Sequence, residues 1–237
     1  MSESMKTPKT LNKGWWISLG LVVVVAILAV IIFVKPAPKT PAPVAESTTS
    51  ATAQAVGGCN VPPGDTSAKP AMPADLRWTA AKGITWPVSD TYGPTQDMDG
   101  YGVCFARSPL GAALAMATFS GVTNTQDPKR ALEIYAMDTA GKTAALESAK
   151  TSSGDSGSDV PVGFAGFSTD SFTPDEAQIT LVLAVAGTST GYVGFPCTLR
   201  WLDGDWKIKL LDDGSPYAGV PSAPVAGQFV SWSGSRG

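Results

Sequence analysis

Hydrophobic and polar positions change their rhythm several times along this chain. From Trp15 to Val34 the sequence reads WWISLGLVVVVAILAVIIFV, uncharged throughout, with fourteen Val, Ile, Leu or Phe residues. As a helix this run is about 30 Å long, the thickness of a bilayer's hydrocarbon core. It gives way at Lys35 to KPAPKTPAPVAESTTSATAQAVGG, which has no apolar period at all. Four prolines in its first nine residues favour extended polyproline II. The stretch from Cys59 to Gly102 is rich in Pro, Gly and Asp and is expected to be irregular, wrapped over a core and pinned by Trp78 and Trp86.

Helical spacing begins at Ser108-Pro109, a serine N-cap followed by a proline suited to the first turn. Leu110 to Ser120 follows, with Gly121 expected to end the helix in a left-handed cap. Asp127-Pro128 opens a second helix carrying Leu132, Tyr135 and Ala136 on one face, and Thr139 to Thr151 reads as a third. After the polar run SSGDSGSD the period becomes two. Strands are expected at Val160–Phe172, Gln178–Ala186, Tyr192–Leu202 and Trp206–Leu211. Asp203-Gly204, between Trp201 and Trp206, is a hairpin signal because both residues tolerate positive φ. The tail from Gly214 is again Pro/Gly-rich and ends near Phe229 and Trp232. The order predicts an α+β domain of about three helices followed by a four-stranded antiparallel sheet curved over them, with its core at about residues 75–213.

These regimes divide the chain into a cytoplasmic tail (1–13), a transmembrane helix (14–34), a flexible stalk (35–58) and an extracytoplasmic domain (59–237). The long core without a small-residue cleavage site favours an anchor over a signal peptide. Lys6, Lys9 and Lys13 precede the span, and about 200 residues follow it, so the expected orientation puts the N-terminus in the cytoplasm and the folded mass outside. The stalk spans about 27 Å as a flexible coil and about 75 Å fully extended.

Charge and composition narrow the chemistry. Residues 59–237 hold 12 Lys/Arg against 18 Asp/Glu, so the domain offers no electrostatic footprint for nucleic acid. The chain has no histidine, which removes the commonest general base and zinc ligand. Gly154-Asp155-Ser156-Gly157 resembles a serine-protease nucleophile motif but has no histidine to activate it, and reads as a loop. Asp97-Met98-Asp99-Gly100 resembles part of a calcium loop, yet Ser108 stands where the bidentate Glu belongs, so a turn is expected. No metal and no cofactor are expected. Three cysteines leave three pairings open in an oxidising compartment; Cys104–Cys197 is favoured because both fall in ordered elements while Cys59 starts a Pro-rich segment. Arg107 is a candidate to lock the first helix to Asp97 or Asp99, and Trp201 and Trp206 to stack across the hairpin. Arg107, Trp201, Asp203, Trp206 and Trp232 are the structural or interface candidates.

The order of elements behind one span resembles the nuclear-transport-factor-2-like cone fold, and the single-span scaffold proteins of type IV secretion and conjugation systems that carry it. GPTQDMDG (93–100), CFARSPLGAALAMA (104–117) and TLRWLDGDWKI (198–208) are similar to a family of uncharacterised membrane-anchored proteins from high-GC Gram-positive bacteria. The resemblance covers about residues 75–235 and implies no catalytic residue; Cys104 and Cys197 look like departures from its pattern. It implies a non-enzymatic envelope protein that contacts itself or other envelope proteins in a conjugation or secretion assembly, anchored in the bilayer through 14–34. The alternative is an extracytoplasmic binding domain for a small apolar ligand, lipid or peptide. A third class is a cone-fold enzyme using an Asp base and a Tyr.

Overall fold

The structure, a computed structural model, describes residues 58–151 and 162–232. The expected membrane span, the stalk before Gly58 and the GDSG loop lie outside the described residues. Among the described residues no helix is long and apolar enough to cross a membrane.

The chain enters through two hairpins. Strands β1 (Leu76–Ala81) and β2 (Ile84–Ser89) form one two-stranded sheet, and β3 (Gln96–Met98) and β4 (Tyr101–Val103) form another. Three helices follow: α1 (Pro109–Thr125), α2 (Pro128–Tyr135) and α3 (Ala140–Thr151). The main sheet then comprises β5 (Val162–Thr173), β6 (Glu176–Val185), β7 (Tyr192–Leu202), β8 (Asp205–Ile208) and β9 (Val230–Ser231), all antiparallel in the order β8-β7-β6-β5-β9.

Three of the hairpin turns share one chemistry. Lys82-Gly83, Asp99-Gly100 and Asp203-Gly204 each place both residues at positive φ, between 45° and 88°. That geometry matches the right-handed twist of the flanking strands, and the second position is Gly each time because it carries no Cβ penalty.

Helix α1 is the centre of the core. From Pro109 to Phe119 every residue is buried, because β2, β6, β8 and α2 surround it. A helix apolar on all sides is a core helix rather than a surface one. Its start follows the sequence reading: the Ser108 hydroxyl accepts the Gly111 N–H at 3.1 Å, and Asp127 caps α2 in the same way through Lys129 N–H. Its end does not. Gly121 is not a cap; α1 runs on to Thr125, and a Cβ on Gly121 would meet the Trp86 ring at 2.5 Å. The glycine serves close packing of helix on hairpin.

The cone of three helices followed by four strands is therefore corrected. The fold is richer in sheet: two hairpins precede the helices, and the main sheet has five strands. Segment 76–89 was masked by Pro87 and by an alternation interrupted at Lys82-Gly83. The fifth strand comes from the tail, where Val230 and Ser231 pair with Phe167 and Gly166. A two-residue strand has no period to read. Trp232 behind it is 2% exposed and lies 5.0 Å from the Phe167 ring, so burial of one indole holds the tail on the sheet.

Candidate functional site

Two of the three segments that carried the resemblance, 104–117 and 198–208, meet in one latch. The β7–β8 hairpin places Asp205 against the segment before α1. One carboxylate oxygen accepts the Cys104 N–H and the other the N–H groups of Phe105 and Trp206, each at 2.9 Å. The Trp206 indole N–H donates to the Ala106 carbonyl at 2.9 Å. Cys104 is held at φ 69°, and Gly111 is obligatory because a Cβ there would lie 2.0 Å from the Ala106 oxygen. Asp205 is 5% exposed, and burial pushes its carboxyl above the usual range against the pull of those N–H groups and Lys207.

Arg107 is turned to the other side of this latch. Its Nε donates to the Pro174 carbonyl at 2.7 Å, its guanidinium pairs with Asp175 in the β5–β6 turn, and its carbon lies 5.3 Å from the Trp201 ring centroid. Asp97 and Asp99, the expected partners, are occupied otherwise: Asp97 accepts the Gly100 N–H, and Asp99 pairs with Arg130. Trp201 and Trp206 pack edge-to-face at 5.2 Å. Asp203 supplies the positive φ of the hairpin turn, and Trp232 is a buried anchor with its Nε1 unpartnered among the described residues.

The Cys104–Cys197 pairing is corrected. Cys59 bonds Cys104, with a Cα–Cα distance of 5.2 Å, and Cys197 is free. Cys197 sits on β7, 2% exposed, opposite Ile179, and burial pushes its thiol up to about 12. A Pro-rich start does not keep Cys59 from a fixed position on the core. Gly58 accepts a hydrogen bond from Gln96 at 3.2 Å, and Val61 and Met72 pack on the core.

One groove lies open where the two small hairpins meet α1. Its wall is Arg77 to Ala81 of β1; its floor is Trp86 and Val88 of β2 with Thr118 and Val122 of α1; Pro94, Asp97, Gly100 and Gly102 face it, and Gln126 closes one side. The cavity volume is about 460 Å³, within the range of ligand sites. Thr118 is 2% exposed and its hydroxyl has no partner among the described residues, unlike Thr125 two turns along the same helix face, which bonds the Gly121 carbonyl at 2.9 Å. Trp78 is 45% exposed, contrary to its expected pinning role, whereas Trp86 is buried as expected. Arg77 is neutralised by Asp90 at 2.6 Å. Asp97 makes no ion pair among the described residues. The sequence carried no signal for this site: its parts are a tryptophan and a threonine separated by forty positions.

Among the described residues the only buried carboxylate near a tyrosine is Asp205, whose charge also helps to raise the Tyr135 phenol after burial, the larger cause. Neither faces the groove: Asp205 is spent on three backbone N–H groups, and Tyr135 donates to the Gly102 carbonyl at 2.7 Å.

No curated protein and no solved structure matches this chain significantly. A family model described as a domain of unknown function (DUF8175) matches residues 37–230. With that match running from the Pro-rich segment to the start of the last strand of the sheet, the chain belongs to the DUF8175 family.

Proposed function

We propose that this chain is a single-span envelope protein that works without catalysis, as a scaffold or assembly component of a conjugation- or secretion-type complex. Its domain would lie outside the cytoplasm and act through protein–protein contacts. The carrying observation is how the chemistry-bearing residues divide. Asp205, Arg107, Trp201 and Trp206 are consumed in holding the fold, whereas the groove beside Trp78 keeps unspent hydrogen-bonding groups and an exposed indole. A Cys59–Cys104 disulfide suits an oxidising compartment.

The test is photocrosslinking in intact cells from a benzophenone amino acid at position 78. Discrete adducts with another envelope protein, or with a second copy, are expected, with Lys207 as a control site behind the latch. Absence of adducts together with a strictly monomeric species on a native gel of the detergent-solubilised protein overturns the reading. The apolar floor of Trp86, Val88 and Val122 favours, as second reading, a small apolar ligand or lipid. Native mass spectrometry showing a bound small molecule lost in Trp86→Ala would support that one.

A further inference from the structure

We infer that the groove takes an extended peptide as an added strand on the free edge of β1, with a basic side chain of that peptide beside Asp97. This rests on the reading of the domain as a protein-contact module and names what enters it.

The register carries the argument. Ala81 pairs with Ile84 across the two-residue turn, so it forms the hydrogen-bonded pair that closes the hairpin. Alternation then makes Thr79↔Trp86 and Arg77↔Val88 hydrogen-bonded pairs, and Trp78↔Pro87 and Ala80↔Thr85 the intervening ones. Pro87, which has no N–H to give, falls opposite Trp78 as this requires. The N–H and C=O groups of Trp78 and Ala80 consequently point away from β2. Among the described residues β1 has β2 as its one neighbouring strand, and no other backbone bond there uses those groups.

This edge lies along the groove. Side chains alternate between faces along a strand, yet five consecutive residues, 77–81, border the cavity. Trp78 and Ala80 stand on the face opposite to Trp86 and Val88, so their share of the wall includes backbone. An unpaired edge is a template for another chain. One charged group borders the space for an occupant: the exposed Asp97 carboxylate, which makes no ion pair among the described residues. Trp86, Val88 and Val122 would receive every second side chain of the peptide, which are expected to be apolar.

The test selects binders from a displayed random dodecapeptide library against the full chain in detergent, then N-methylates the best peptide one residue at a time. Expected are sequences with alternate apolar residues and a Lys or Arg. N-methylation should weaken binding tenfold or more at every second position and leave the intervening positions nearly unchanged. Asp97→Asn should weaken that peptide several-fold but not its Lys→norleucine analogue. Ala80→Pro removes an N–H that no ladder bond uses, and should abolish binding while preserving the fold. No selected sequence, or losses without a period of two, overturns strand addition. The N-methyl scan is on the peptide, so it decides even if Ala80→Pro does not fold. Cellular crosslinks from position 78 without a period of two leave the contact reading standing and remove this inference. A period of two without any cellular adduct does the opposite.

Discussion

Asp205 shows how one side chain decides the meaning of a motif. Its two oxygens organise three backbone N–H groups on two separate segments. Asp205→Asn replaces one acceptor by a donor facing an N–H, and is expected to cost about 3 kcal/mol. The sign of its pH dependence follows from the raised folded pKa. The folded state binds this proton more tightly than the unfolded chain. The contribution is therefore full below the unfolded value of about 3.9 and is lost as pH rises through the folded one. The Asn penalty should shrink from pH 4 towards pH 7 in urea titrations; a penalty that grows with pH would contradict the burial argument. At Arg107, Lys keeps a charge but cannot both donate to Pro174 and lie flat on Trp201, so Arg107→Lys should cost about 1 kcal/mol. Asp175→Asn should cost less, because Asp175 is exposed and an open ion pair contributes little.

The elements were legible where period and punctuation agreed. Ser108-Pro109 and Asp127-Pro128 start helices, and β5 to β8 fall on the four apolar segments after the polar run, although β6 is buried on both faces at its centre. They were illegible where a partner decided them. Gly121 has the sequence signature of a cap, but Trp86 makes it a packing glycine inside α1. Gly111 is the sharper case: the Ala106 carbonyl leaves no room for a methyl group. Gly111→Ala should therefore lower the unfolding midpoint by more than Gly187→Ala, although Gly187 sits at positive φ in open space. A loss of about 3 kcal/mol is expected at 111 and about 1 kcal/mol at 187; equal losses would remove the steric account.

At the scale of the molecule, one covalent bond ties the entry of the domain to its central latch. Cys59 and Cys104 are 45 residues apart. Closing a loop of that length in the unfolded chain contributes about 4 kcal/mol on the chain-entropy model. Cys59→Ser should lower stability by up to that amount. Thiol labelling gives an independent check. Native protein should take up no maleimide, unfolded protein one per chain at Cys197, and reduced unfolded protein three. Three labels on the unfolded protein before reduction would show that Cys59 and Cys104 are not bonded in the cell-derived protein. The same measurement after mild proteolysis of intact cells tests the proposed extracytoplasmic placement.

Local chemistry, readable in the sequence alone, determined the helix starts, the Asp-Gly hairpin, the period-two strands and the absence of imidazole chemistry, because each depends on neighbours within a few positions. The groove was decided only by tertiary structure, as were the Cys59–Cys104 bond, the fifth strand and the partners of Arg107. Each of these joins groups between about 40 and 70 positions apart, where steric fit and hydrogen-bond satisfaction choose among pairings that composition and period leave equal.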